Sequence, residues 1–275
     1  MSEIPVADPA LPRQSPWLFN WFRWYCTRYA RKHFHAVRLS RSSHAVPAAD
    51  GKPLIFVMNH PSWWDIIIGF VLLERFTKYR HFAPIDAEML PKYRFFNRLG
   101  FFGIDATPRG AARFLRTAKA IFEQPFQAMW ITAQGKFVDP RTRPIELRPG
   151  VGYVASRLTE GFVIPVAVEY PFWEERTPEA LVRFGEPLDL SSRAGVDAHE
   201  WTKLIEAALT SAQDTLAQEA MRRDPAAFDV LVSGKVGVGG PYDWWRRAKS
   251  WMRGKRFDPA HSSPPTDPKP EERSA

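Results

Sequence analysis

The amino-acid sequence predicts an α/β protein: one domain with a mostly parallel central sheet covered by helices, and an amphipathic helix at each end. Three observations carry this. Short β-rich runs alternate with helical patterns through the middle of the chain. Several runs are continuously apolar, as in Leu54-Ile55-Phe56-Val57-Met58 and again from Phe162 to Val168, which suits strands covered on both faces. The two ends differ from the middle, being rich in tryptophan and basic residues.

In chain order, the first helix is expected over 17–32, where Trp17, Trp21, Trp24, Tyr25 and Arg28 recur at helical spacing. An apolar strand at 54–59 precedes a helix at 64–76. A strand at 79–84, a helix at 87–98 and a strand at 101–106 with Gly103 at its centre come next. Thr107-Pro108 is a helix start, placing a helix at 110–124 before a strand at 127–132. A helix at 151–159 leads to the strands 162–170 and 180–184, and the long pattern 199–223 is the last helix of the body.

The chain has 275 residues, 45% hydrophobic and 25% charged, which suits one large folded domain. Its one cysteine, Cys26, excludes a disulfide framework and a cysteine-rich zinc site. The longest strictly apolar stretch, 66–73, is far short of the roughly 20 residues a spanning helix needs. No secretory leader pattern is visible, so the expected location is the cytoplasmic side.

The net charge is +8, and it is concentrated at the ends. Residues 11–41 and 244–256 carry many Lys and Arg and no acid, whereas the body between them is close to neutral. Trp17, Trp21, Trp24, Trp244, Trp245 and Trp251 lie in these same segments. Proline-rich, polar tails are expected to be disordered at 1–16 and 257–275. The division expected is therefore an interfacial helix at 17–35, the main domain at 36–225, and a linker with a basic, tryptophan-rich segment at 226–256.

Chemistry concentrates at three strand ends. The apolar strand closing at Asn59 places His60 at its carboxyl end, where ligands bind in open α/β sheets. Asp65, five positions on and past a tight turn, can reach back to one ring nitrogen and leave the other to accept a proton. The same residues also suit a plain helix start, with Ser62 as the cap and Asp65 in the first turn. At the second end, Gly103 and Arg109 flank the Thr107-Pro108 helix start, a place for an anion or an ordinary exposed arginine. At the third, Gln134, Gly135 and Lys136 follow a strand, in a ligand crevice or a plain loop exit.

Taken in order, these segments resemble the lysophospholipid (glycerolipid) acyltransferase family, and are similar to its bacterial lysophosphatidate acyltransferases. His60 to Asp65 matches its H-x-x-x-x-D signature, and Gly103 to Arg109 resembles its second motif. Thr132 to Lys136 falls at the third motif, Arg148-Pro149-Gly150 resembles the helix start that follows, and Val163-Ile164-Pro165-Val166 resembles the fourth motif. The likeness spans roughly residues 50–190. It implies transfer of an acyl chain from a thioester donor, acyl-CoA or acyl carrier protein, to a lipid hydroxyl, with His60 as general base and Asp65 orienting it. Gly103, Arg109, Gln134, Gly135, Lys136 and Pro165 would bind substrate, and neither metal nor other cofactor is implied. Gln134 departs from the family's usual glutamate, and Lys136 from its usual threonine. A glycolipid or carotenoid glycoside is therefore an alternative acceptor, and a non-catalytic lipid-binding protein an alternative function.

The tryptophan-rich basic ends have the composition of helices lying in a membrane interface. Nucleic acid is a competing partner for such segments, and ordinary packing on the body is a third reading. With a lipid acceptor implied, a peripheral contact with a membrane surface is expected rather than nucleic-acid binding.

Overall fold

In a computed structural model of the chain, residues 11–234 are described. They form an α/β fold around a mostly parallel sheet of nine strands. The elements in chain order are α1 (Pro16–His33), β1 (Ala36–Ser40), β2 (Leu54–Met58), α2 (Asp65–Leu72), β3 (Arg80–Asp86), α3 (Met89–Lys92), β4 (Phe101–Ile104), α4 (Pro108–Phe122), β5 (Gln127–Ile131), α5 (Gly150–Ala155), β6 (Phe162–Glu169), β7 (Glu179–Phe184), β8 (Leu188–Asp189), α6 (Ala198–Arg222) and β9 (Phe228–Ser233).

The sheet runs β4-β3-β5-β2-β6-β7-β1-β9, with β8 on β6. Its first five strands are all parallel, so their carboxyl ends line one edge. Alternation along β2 shows why that run is apolar throughout. Leu54, Phe56 and Met58 face the core under α1 and α2, while Ile55 and Val57 face the core under α4, α5 and α6. Each face buries a full side-chain layer, so a polar residue on either side of β2 would be buried too.

Three strands lie where none was expected: the two-residue β8 and the longer β1 and β9. β1 is buried along its whole length although it contains Arg38, because the guanidinium meets the Glu179 carboxylate at 2.8 Å on the neighbouring parallel strand. β9 pairs antiparallel with β1, so the linker expected from 226 begins instead with a strand of the main sheet. The first boundary also moves. Gln14 bridges Leu99, Ser15 donates its amide to Arg98, and Pro16 opens α1, so the expected tail at 1–16 is tied to the fold by its last residues. The helix expected at 87–98 is one turn of α3, a break at Tyr93 and a 3-10 turn at Arg94–Arg98. Pro91 lacks an amide and fits only the first turn, so no helix through it can start as early as 87.

α1 is part of the body. Phe22, Cys26 and Ala30 are buried against α2 and the sheet, whereas Trp17, Trp21, Trp24 and Tyr25 remain exposed. No helix among the described residues is long and apolar enough to cross a membrane.

Candidate active site

The carboxyl edge of β2 ends in Asn59, whose fully buried side chain continues the ladder toward β6. Its Nδ2 donates to the Val168 carbonyl at 3.0 Å, and its Oδ1 accepts from the Val168 amide at 2.8 Å. The backbone then turns out, and the loop after β5 grips His60 on both sides. The His60 amide donates to Gln134 Oε1 at 2.8 Å, and the His60 carbonyl accepts from the Val138 amide at 2.9 Å.

His60 Nδ1 lies 2.6 Å from Asp65 Oδ2. Asp65 is the first residue of α2 and is 1% exposed. Its Oδ2 also accepts from the Ser62 amide at 3.2 Å, and its Oδ1 accepts from the Tyr170 hydroxyl at 2.7 Å. Burial pushes the Asp65 carboxyl above the usual aspartate range, while the hydrogen bonds from His60, Tyr170 and Ser62 pull it back. Burial and the adjacent carboxylate hold the Tyr170 phenol well above the usual tyrosine range, so it stays protonated and donating. An ionised Asp65 only accepts hydrogen bonds, which puts the proton on His60 Nδ1 and leaves a lone pair on Nε2. Among the described residues Nε2 has no partner, and the ring is part-exposed beside Phe137, with centroids 4.5 Å apart. An oriented, part-exposed imidazole of this kind is equipped to take a proton from a bound hydroxyl.

The helix-start reading of this segment holds in part. Ser62 Oγ accepts from the Trp64 amide at 3.3 Å, a local turn bond, but the residue before α2 is Trp64, which makes no side-chain cap. Asp65 therefore serves both the Ser62 amide and the imidazole through one oxygen.

Of the substrate-binding residues expected from sequence, only Gln134 bonds to the His60 loop. Gly135 follows it with φ at +66°, a conformation that favours glycine, and its carbonyl accepts from Arg148 at 3.3 Å. Lys136 is exposed on the same loop. Gly103 lies on β4, three strands from β2 and so about 14 Å away at ordinary strand spacing. A Cβ there would stand 3.1 Å from both Ala87 and Leu90, so glycine lets α3 approach the strand. Thr107 caps α4 through the Gly110 amide at 3.0 Å, as its helix-start position suggests. Arg109 is exposed in the first turn of α4 and makes no ion pair among the described residues. It is Arg113 that bonds Asp105, at 2.7 Å. Pro165 lies inside the sheet opposite Val57, beside Gly185, away from the strand ends.

Gly103, Arg94 and Arg113 line an open groove of about 740 Å³ with an apolar floor at Phe101 and Phe102. Trp244, Trp245 and Trp251 lie outside the described residues. Among the described residues, no three His, Cys, Asp or Glu side chains cluster as metal ligands would.

Tyr170 was not expected at the site. It directly follows β6, so its place on the carboxyl edge is visible in the sequence, but its reach to Asp65 is not. Phe137 was missed for the same reason: it sits on a loop whose path only the fold defines. A scan against protein-family models finds no match to this chain, and a search of curated proteins finds no matching relative.

Proposed function

We propose that the protein is an acyltransferase, moving a fatty acyl chain from acyl-CoA or acyl carrier protein to a hydroxyl of a lysophospholipid or related lipid. The observation that carries this reading is the Tyr170–Asp65–His60 chain, which leaves Nε2 of a fixed imidazole free on the carboxyl edge of the sheet. Nε2 takes the proton of the acceptor hydroxyl as its oxygen attacks the thioester carbonyl. The carbon–sulfur bond then breaks, and the departing thiolate recovers that proton from His60. No acyl-enzyme is needed, since the thioester is already activated and one positioned base suffices. Exposed Arg109 would offer a charge to a headgroup phosphate, and the groove beside Gly103, lined by Phe101, Phe102, Arg94 and Arg113, would offer a surface for a chain. A protein acting on such an acceptor would work at a membrane surface, and the exposed tryptophans of α1 support that location.

The test is to incubate the full chain with radiolabelled acyl-CoA, or labelled acyl carrier protein, and a panel of lysophospholipids and glycolipids. Transfer to a lipid is expected, and His60→Ala is expected to cost roughly a hundred- to ten-thousand-fold in rate with the fold retained. No transfer to any lipid, or an unchanged rate in His60→Ala, overturns the reading.

A further inference from the structure

The exposed aromatic residues of α1 do not stop at the helix. Trp21 stacks on Tyr25, with centroids 5.8 Å apart, Tyr25 stacks on Tyr29 at 5.6 Å, and Tyr29 meets Trp63 edge-on at 6.4 Å. Trp63 is three residues beyond His60 in the same loop and is 56% exposed, as is Trp24. Trp17, one turn before Trp21, is 74% exposed. A strip of aromatic surface therefore runs along α1 and onto the loop that carries the imidazole. A folded domain leaves so many large rings in water only where something covers them.

The charges around the strip select the occupant. α1 contains no acid, and Arg28, Arg31 and Lys32 make no ion pair among the described residues. Arg28 lies over the Trp24 ring at 5.1 Å. A second copy of this face would bring like charges together. The basic segment 244–256 has no acid either, so it is repelled in the same way. Aromatic rings ringed by cations match the headgroup level of an anionic bilayer, where indoles sit at the polar boundary and basic side chains meet lipid phosphates.

We propose that Trp17, Trp21, Trp24, Tyr25 and Trp63 form one docking surface for an anionic lipid bilayer, and that Trp63 brings the His60 loop to headgroup level. This deepens the function proposed above: a lipid acceptor would present its hydroxyl to His60 without leaving the membrane. Docking and transfer are separable properties, and the experiment reads docking alone.

Trp63→Cys and Trp21→Cys are each labelled with an environment-sensitive fluorophore in the full chain. Cys26 is fully buried and its thiol is pushed up to about 12, so it stays unlabelled under mild conditions. A label at Met221→Cys, on the exposed end of α6 across the sheet, is the control. With phosphatidylglycerol vesicles the labels at 63 and 21 are expected to brighten and shift to the blue, and the label at 221 to stay unchanged. Phosphatidylcholine vesicles are expected to give a much weaker response. In flotation, Trp63→Ala should lower partitioning about tenfold, the loss expected for one buried aromatic side chain. If the chain floats while the label at 63 stays in water, Trp63 is not part of the surface and the proposal fails. It fails equally if the shift appears without vesicles and grows with protein concentration, which would mark a second copy. An equal response to neutral vesicles also overturns it. None of these readings uses acyl transfer, so loss of the acyltransferase assignment and loss of the docking surface are told apart.

Discussion

Tyr170 and Asp65 stand 105 residues apart in the chain and 2.7 Å apart in space, with the phenol donating to the carboxylate oxygen that the imidazole does not use. This places a buried carboxylate between two donors, one on each oxygen, and the Ser62 amide adds a third. Burial alone would favour the neutral acid. The donors keep the charged form accessible, and the charged form is what holds His60 Nδ1 protonated and Nε2 open.

Tyr170→Phe removes one of these donors and leaves Asp65 Oδ1 buried without its partner. A loss of about 1–3 kcal/mol in stability is expected from chemical denaturation. The Asp65 carboxyl should hold its proton to higher pH, so the acid limb of the pH–rate profile should move up. An acid limb identical to that of the unaltered protein would show that Tyr170 does not support the carboxylate.

Gln134 acts on the His60 backbone through its side-chain oxygen. Gln134→Glu keeps an acceptor at that point, so transfer should persist within a few-fold, with altered preference among acceptors from the added charge. Gln134→Ala loses the acceptor and should lower the turnover rate about tenfold, the equivalent of one modest buried hydrogen bond. Steady-state kinetics with one donor and two acceptors separates these outcomes. An alanine variant as fast as the original would mean that the loop needs no such clamp.

Arg109 is exposed, so its replacement should leave thermal stability unchanged. If it holds an acceptor phosphate, Arg109→Ala should raise KM about tenfold or more for phosphorylated acceptors, in keeping with the loss of a charge-assisted hydrogen bond. KM for uncharged glycosyl acceptors should stay constant. Equal changes for both classes would remove Arg109 from headgroup recognition.

His81 makes the fold acid-sensitive. Its Nδ1 accepts from the Trp130 indole at 3.2 Å, and its Nε2 donates to the Phe76 carbonyl at 3.0 Å, so the ring fits only in its neutral form. Burial lowers it from 6.5 to about 4. The unfolded chain therefore binds a proton between pH 6.5 and 4 that the folded chain refuses. Stability is fully present above pH 6.5 and should fall by about 3 kcal/mol as the pH drops through that window. His81→Phe should start from a lower melting temperature, having orphaned the Trp130 indole, but with this part of the pH dependence gone. Melting temperatures across pH 4–7 would show the difference. An unchanged slope would assign the acid sensitivity to other groups.

What the sequence determined by itself was whatever depends on short range. Short β-rich runs marked six of the nine strands, and β2 and β6 stood out among them as continuously apolar, because a strand covered on both faces is mostly apolar. The five-residue spacing of His60 and Asp65 made their contact one of two readings, beside a plain helix start, since one tight turn is enough to close it. The tertiary structure alone decided which distant residues complete these local pieces. β1 escaped notice because the charge of Arg38 makes sense in a strand only beside Glu179, 141 residues away. β9 escaped because its pairing partner lies at the opposite end of the chain. Gln134 was legible as a polar strand end, but its target, the His60 amide 74 residues earlier, was set by β5 and β2 lying side by side. Tyr170 reaches Asp65 only because β6 pairs with β2 on its other side. Local spacing can specify a pair of groups. The third and fourth groups of a site come from sheet order, and that depends on how whole faces pack rather than on any short stretch of residues.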